Sequence, residues 1–214
     1  MAGSPEQITQ SNPNLLAVKF GSMSIATSDG EPRIDKIKAH ARDIALVREE
    51  SGAQVIIVSS GARVFGQRIL GTPEYEEILN EDTRDIQRDY STDVKELRRK
   101  LKKLELSNRR HTHRVGQKRL VEIWGNAFAE HGVIVTPELL IDDKDRGLEL
   151  DLKHAVRNNE IPILNGHGSM EPDGKMRDND RVLEYVVDLV NPGYVLAIIN
   201  GTIVDGNHRT IQEI

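Results

Sequence analysis

A lysine followed closely by a glycine and a serine is the first combination in the sequence that could bind a phosphate. Lys19, Gly21 and Ser22 come directly after the apolar run 15–18, which we interpret as a buried strand. At the carboxyl end of a central strand, the ammonium group would lie beside free backbone N–H donors. The alternative is a surface lysine whose aliphatic stem covers the strand end while its charge reaches solvent.

A second polar turn follows the most strand-like run in the chain. Residues 55–58 are all β-branched, as is typical of a parallel strand covered on both faces, and Ser59, Ser60 and Gly61 come next. Their hydroxyl and backbone N–H groups, at the start of the following helix, could bind a ligand. An ordinary strand-to-helix turn with a serine as the helix N-cap is the alternative interpretation.

The residues between these two turns indicate how the turns could meet. Apolar residues recur at helical spacing from Ile34 to Val47, and Gly52 ends this predicted helix. A strand, a helix and a second strand in this order form a right-handed crossover between two adjacent parallel strands. We therefore expect Lys19 and Ser60 to lie at the same edge of an α/β sheet.

The second half of the chain adds further polar residues to this edge. Helices are predicted over 117–131 and 148–158, and strands over 133–135, 161–164 and 195–199, followed by a turn-rich segment over 200–207. Asn165 follows one of these strands, while Asp178, Asn179 and Asp180 precede an apolar-periodic helix. Amide donors combined with a lysine suit the binding of an anionic substrate and the transfer of a phosphoryl group.

The segment 72–114 departs from this alternating pattern and is rich in charge. Four apolar residues repeat at heptad-like spacing, namely Val94, Leu97, Leu101 and Leu104. The spacing predicts a helical excursion, arranged as a hairpin with the residues around Ile86 and Tyr90. We expect this excursion to pack on the body of the protein or on a second subunit, which would make the protein a homo-oligomer.

Two other functions of the excursion have weaker support. The basic run 98–114 could bind nucleic acid, but a solvated helix face is the better interpretation because acidic residues precede it. His111 and His113 could hold a metal ion, but no carboxylate lies at helical spacing beside them. We therefore interpret the two histidines as part of a polar loop.

Composition limits the class of protein and its partners. The 214 residues carry a formal net charge of −5, no cysteine and 4% aromatic residues. These values argue against nucleic acid and anionic membranes as partners, and the lack of cysteine fits a cytoplasmic location. Residues 1–14 are polar and unlike a signal peptide. We expect a disordered leader over 1–14 and one domain over 15–214.

The order of the motifs resembles the amino acid kinase family, and within it the glutamate 5-kinases of proline biosynthesis. The matching segments are V-K-F-G-S at 18–22, V-I-I-V-S-S-G-A at 55–62, V-G-Q-K-R-L-V-E-I-W at 115–124, E-L-L-I at 138–141, I-P-I-L-N at 161–165 and D-N-D at 178–180. The resemblance implies a three-layer α/β/α sandwich with a mainly parallel sheet. It also implies that ATP, with Mg²⁺, phosphorylates the side-chain carboxylate of glutamate or a similar small anionic substrate.

The resemblance also implies a role for each candidate residue. Lys19 would neutralise the transferring phosphoryl group, Asp180 would orient that lysine, and Gly21 with Ser22 would support the phosphate. The substrate-binding residues would be Ser59, Ser60, Gly61, Asn165 and Asn179. Because an acyl phosphate forms by attack of one anion on another, positive charge and oriented donors matter more than a general base.

Three departures from the family pattern motivate a second hypothesis. Gly168 stands where the family has an acid that meets the amino group of glutamate, and Asn200-Gly201 replace a Thr-Asp pair at the nucleotide edge. The sequence also ends at Ile214, before the family's Gly-Gly-Met-x-Thr-Lys loop, so we expect a truncated nucleotide-binding part. The alternative function is a non-catalytic or weakly active member that binds a small anionic metabolite or a partner chain.

Overall fold

Six strands form one sheet in the computed structural model, which describes residues 12–71, 73–90, 93–140, 147–166, 178–199 and 202–205. The strands are β1 (Asn12–Phe20), β2 (Gln54–Ser59), β3 (Val135–Leu140), β4 (Ile161–Asn165), β5 (Pro192–Ile199) and β6 (Thr202–Asp205). Their order across the sheet is β3-β4-β2-β1-β5-β6. Strands β1 to β5 are parallel, and β6 is antiparallel to β5.

Helices cover both faces of the sheet. They are α1 (Ser22–Ile25), α2 (Ile34–Ser51), α3 (Ala62–Leu70), α4 (Pro73–Asp89), α5 (Val94–Ala129), α6 (Leu148–Arg157) and α7 (Asn179–Val190). Alternate residues of β1 belong to two separate apolar clusters, since successive side chains of a strand point to opposite faces. One cluster includes residues of α2, α3 and α5, and the other includes residues of α6 and α7. The predicted three-layer α/β/α sandwich is confirmed.

The crossover between the first two strands places the two polar turns side by side. Strands β1 and β2 are parallel neighbours, with Lys19 opposite Val58 and Phe20 opposite Ser59. Helix α2 connects them and ends at Gly52, whose φ of +68° is the left-handed conformation expected at a helix C-terminus. The structure confirms that β1 and β2 are adjacent parallel strands and that the connecting helix ends at Gly52.

Several strand boundaries differ from the predicted ones. Strand β1 begins at Asn12, within the predicted leader, because the N–H of Asn12 bonds to the carbonyl of Asn191 (2.8 Å) and so joins the sheet through backbone alone. Strand β3 begins only at Val135, since the N–H of Val133 closes the preceding helix on Phe128 (3.2 Å). The segment predicted to be turn-rich contains β6, and the Asn-Gly dipeptide that precedes β6 in the sequence is typical of a hairpin.

The charged excursion is an antiparallel hairpin of α4 and α5, as predicted. The rings of Tyr75 and His111 stack with centroids 6.0 Å apart, and the ammonium of Lys100 lies 5.2 Å from the ring centroid of Tyr90. No helix in the described part of the chain is long and apolar enough to cross a membrane.

Helix α5 contradicts the predicted boundary between the excursion and the body. It runs for 36 residues without interruption and includes both the end of the excursion and the helix predicted from Gln117. No proline interrupts the sequence there, so nothing in the backbone ends the helix. His111 and His113 therefore lie on a helix, and the loop interpretation was wrong. Within the described residues, no group of three or more His, Cys, Asp or Glu could hold a metal ion.

Two glycines allow α3 and α5 to cross with their backbones in contact. A Cβ atom on Gly66 would lie 1.9 Å from the carbonyl oxygen of Thr112, and one on Gly116 would lie 1.6 Å from that of Ala62. Only residues without a side chain fit at this crossing. The crossing fixes α5 against the start of α3, directly after the polar turn that follows β2.

Candidate functional site

Lys19 and Asp180 form an ion pair at the carboxyl end of the central strands. Lys19 lies on β1 and is 7% exposed, while Asp180 lies in the first turn of α7 with a side chain that is 62% exposed. Their ammonium and carboxylate groups are in direct contact. The burial of Lys19 contradicts the alternative of a lysine that extends into solvent. The pair instead fixes a positive charge at the sheet edge, where an anion could approach it.

Asn179 connects three segments that are far apart in the sequence. Its Nδ2 donates to the hydroxyl of Ser60 (2.7 Å), and its Oδ1 accepts from the backbone N–H of Gly166 (2.9 Å). Asn179 is 3% exposed, so both bonds are shielded from water. Because Asp178 caps α7 by accepting from the N–H of Arg181 (2.9 Å), the helix start that carries Asn179 is itself held in place. The predicted position of this segment at a helix N-terminus is confirmed.

Ser59 and Asn165 support the polar turn from beneath. The amide of Asn165 donates to the carbonyl of Ser59 (2.8 Å), and the indole N–H of Trp124 donates to the Ser59 hydroxyl (3.1 Å). Ser59 is completely buried. Its hydroxyl is therefore engaged with the core, which gives Ser59 a supporting position in the turn. Trp124 is a completely buried core residue, and this bond connects it to the site.

Gly61 gives the turn its shape. Its φ of +103° is left-handed, and a Cβ atom there would lie 2.8 Å from Cδ1 of Ile25, so a side chain is excluded on both grounds. Gly61 is the N-cap residue of α3 and no side chain caps this helix, which contradicts the alternative of a serine N-cap. Ser60 lies just before it, and its N–H donates to the carbonyl of Phe20 (2.9 Å). That bond ties the turn to the end of β1.

Gly21 and Ser22 lie beside Lys19 as predicted, but Gly21 is not a free donor. Its N–H donates to the carbonyl of Ile198 (2.9 Å), which continues the ladder between β1 and β5. The same carbonyl also accepts from the hydroxyl of Ser24 (3.1 Å). Ser22 is exposed and begins α1, a short helix that was not predicted. Of these two residues, Ser22 is therefore the one that an incoming phosphate could reach.

Two residues near the turn were missed as parts of the site. Gly166 supplies the N–H that binds Asn179. Gln117 is 3% exposed and donates from Nε2 to the carbonyl of Ile163 (3.3 Å), while its Oε1 has no hydrogen-bond partner among the described residues. The Gly-Gln pair in the middle of an apolar helix pattern was the available signal for a special position. Gly168 and Asn200-Gly201, the departures from the family pattern, lie outside the described residues.

The arrangement can bind a small molecule that carries both negative charge and hydrogen-bonding groups. Lys19 supplies a fixed positive charge, and Ser60 and Asn179 lie nearby on the neighbouring turn and helix start. Gly61 is itself buried against Ile25 and Phe65, so it contributes by shaping the turn that carries Ser60. These are the features of a phosphate-binding and substrate-binding edge in an open α/β sheet.

Comparison with known proteins identifies the family of the chain. A sequence model of the amino acid kinase family matches residues 14–206. The glutamate 5-kinase of Novosphingobium aromaticivorans is 28% identical over 201 residues, covering 90% of this chain and 46% of that protein. A glutamate 5-kinase of Thermus thermophilus is 30% identical over 192 residues, covering 86% and 44%. The chain thus spans about half the length of the curated relatives that it matches.

Solved structures share the fold at much lower sequence identity. A carbamate kinase from Giardia superposes with a TM-score of 0.56 at 12% identity, covering 95% of this chain and 80% of that chain. An isopentenyl phosphate kinase superposes with a TM-score of 0.52 at 14% identity, covering 86% and 70%. The shared sheet and flanking helices confirm the fold that the sequence motifs implied.

Proposed function

The chain belongs to the amino acid kinase family, and from this premise we propose that it transfers the γ-phosphoryl group of ATP to the side-chain carboxylate of glutamate. The observation that carries the proposal is the Lys19–Asp180 ion pair, which lies next to the Ser60–Asn179 hydrogen bond at one edge of the sheet. The positive charge of Lys19, which would bind the phosphate, therefore lies close to Ser60 and Asn179, which would bind the amino acid. This activity would place the protein in proline biosynthesis in the cytoplasm, as the resemblance of its sequence motifs implies.

In the proposed reaction, a carboxylate oxygen of glutamate attacks the γ-phosphorus of ATP. A new oxygen–phosphorus bond forms while the bond to ADP breaks, so no net proton transfer is required. Lys19 neutralises the charge of the transferring group, and Asp180 holds the lysine in position. Ser60, Gly61 and Asn179 bind the amino acid, with Ser59 and Asn165 supporting the turn from below.

The residues present fit a magnesium-bound nucleotide. Mg²⁺ binds commonly through one or two carboxylates together with phosphate oxygens. Asp180 offers an exposed carboxylate directly beside the lysine that would meet the phosphates, and Ser22 adds an exposed hydroxyl after Gly21. The metal would supply charge neutralisation at the phosphates.

Release of ADP in the presence of glutamate and Mg-ATP tests this function. The unaltered chain should release ADP only when glutamate is present, and Lys19→Ala should lower kcat by about 100-fold to 1000-fold. Lys36→Ala, which removes an exposed lysine from α2, is the matched control and should keep full activity. Turnover that survives Lys19→Ala would contradict the assignment of the site.

A second candidate function is binding without turnover. It is favoured by Gly168 and by Asn200-Gly201, which replace acidic and polar residues of the family pattern. In this case, calorimetry would detect glutamate binding that Asn179→Ala weakens, while no ADP is released. Glutamate-dependent turnover at ordinary enzyme rates would exclude it.

A further inference from the structure

The α4–α5 hairpin has no core of its own. Its described residues from Tyr75 to Thr112 are all exposed or half-buried, in contrast to the inner part of α5, where eight residues from His113 to Phe128 are buried. A pair of helices becomes stable mainly by covering an apolar face, because short helices alone are marginal in water. In the single chain, the outer part of α5, residues 94–112, has no fully buried residue and so lacks a completely covered apolar face.

The apolar residues that are only partly covered in the single chain lie in order along both helices. On the outer part of α5 the stripe Leu97, Leu101 and Leu104 is only half-buried, and Val94 at its start is 58% exposed. On α4, Ile78 is 56% exposed. A heptad-like stripe with this exposure is typical of a helix that packs against further helices.

The two helices of the hairpin carry opposite charges. Seven acidic and two basic residues give α4 a formal charge of −5. Eight basic and two acidic residues give the outer part of α5 a formal charge of +6. The hairpin therefore presents one acidic and one basic edge, which makes its surface complementary to a second copy of itself.

These charges are not neutralised between the two helices of one chain. Each ion pair that the structure gives for the described residues of the hairpin joins residues of the same helix: Arg88 with Asp85 and Asp89, Arg99 with Glu96, and Arg109 with Glu105. None of these pairs connects α4 to α5. The acidic edge of α4 and the basic edge of α5 thus remain available to a partner.

We propose that two copies of this chain associate through the α4–α5 hairpin, with the acidic α4 of each copy against the basic outer part of α5 of the other. A two-fold axis would bring the four helices into an antiparallel bundle and would bury the leucine stripes of both copies. A polyanion such as nucleic acid fits less well, because it would meet the acidic α4 beside every basic residue. The association is independent of the proposed kinase activity.

Sedimentation equilibrium of the full chain tests the association directly. The unaltered chain should be a dimer, and Leu97→Glu combined with Leu101→Glu should weaken the dimer by about tenfold or more. Lys103→Glu makes the same kind of charge change on the flank of α5 that faces away from both the stripe and the edge formed by Arg98 and Lys102, and it should leave the dimer intact. Helical content by circular dichroism should stay the same in all three proteins.

A charge exchange distinguishes lost contacts from lost folding. Glu81→Lys with Asp82→Lys reverses the edge of α4, and Arg98→Glu with Lys102→Glu reverses that of α5; all four residues are exposed. Each double variant alone should be monomeric, because like charges would meet across the interface, and an equal mixture of the two should recover dimers. A monomeric unaltered chain, a dimer that resists all these changes, or a monomer retained on heparin would overturn the proposal.

Discussion

The side-chain amide of Asn179 donates a 2.7 Å hydrogen bond to the hydroxyl of Ser60, although 119 residues separate the two in the sequence. The bond joins the first turn of α7 to the turn after β2, and the other end of the same amide holds Gly166 after β4. One buried side chain thus sets the relative positions of three parts of the candidate site. Its removal should therefore disturb all three.

Asn179→Ala should impair both stability and substrate binding. The substitution removes the buried amide and with it the hydrogen bonds to Ser60 and Gly166, which costs about 1–3 kcal/mol of the free energy of unfolding. Urea unfolding measures this loss, and the KM for glutamate should rise because Ser60 is no longer fixed. Asn126→Ala, at an exposed position of α5, is the control and should change stability by less than about 0.5 kcal/mol.

Asp180→Asn should lower kcat more than it changes the KM for glutamate. The neutral amide keeps the shape of the carboxylate but loses the charge that holds the Lys19 ammonium. A misplaced catalytic group can cost about 100-fold in rate, which steady-state kinetics would detect. Asp188→Asn alters an exposed carboxylate on the same helix and should behave as the unaltered protein. Equal effects of the two variants would contradict the positioning role of Asp180.

Gly116→Ala should destabilise the protein severely. The added methyl group would lie 1.6 Å from the carbonyl oxygen of Ala62, so the two helix backbones must move apart, at a cost of about 3 kcal/mol or more. Gly125→Ala provides a control within the same helix, because no atom lies within 4 Å of the added Cβ. It should stabilise the protein by about 0.5–1 kcal/mol through helix propensity. Thermal unfolding of both variants measures this difference in sign.

His40 should make the folded state sensitive to acid. Its ring packs against Phe20 with centroids 4.9 Å apart, and its Nε2 is buried without a hydrogen-bond partner in the described part of the chain. Burial lowers the pKa of His40 below the ordinary value of 6.5. The unfolded chain therefore binds the proton first, and stability should fall as the pH drops through 6.5 and level off below the depressed pKa.

His40→Gln checks this expectation. Urea midpoints measured between about pH 7 and pH 5 should decline less steeply in this variant than in the unaltered protein, because glutamine does not titrate. His154→Gln alters an exposed histidine on α6 and should leave the slope unchanged. An identical decline in all three proteins would show that other groups govern the acid response.

The parts of the site that sequence predicted well depend on local patterns. The β-branched run before Ser59, the periodic helix that ends at Gly52 and the acidic cap before Asn179 each indicate an element and its end. The right-handed crossover rule then sufficed to place Lys19 near Ser60. These inferences require only strand order and direction, which local patterns determine.

The parts that sequence missed depend on contacts between distant segments. Nothing local shows that the N–H of Gly21 bonds to the carbonyl of Ile198, or that Trp124 holds Ser59 from the opposite layer. The continuity of α5 was missed because the change in composition near Arg114 looked like a boundary. Helix α5 continues past Arg114 because Gly116 packs against α3 and does not end the helix.

Helix α5 is one stiff rod, about 54 Å long at the usual rise per residue, that serves both the hairpin and the body. Its inner part is held at the crossing with α3, where Gly116 packs on Ala62, the residue that follows Gly61. Because the helix is uninterrupted, its outer and inner parts move together as one rigid element. A displacement of the hairpin would therefore reach α3 through two contacts, first that of Thr112 with Gly66 and then that of Gly116 with Ala62, beside the turn that carries Ser60.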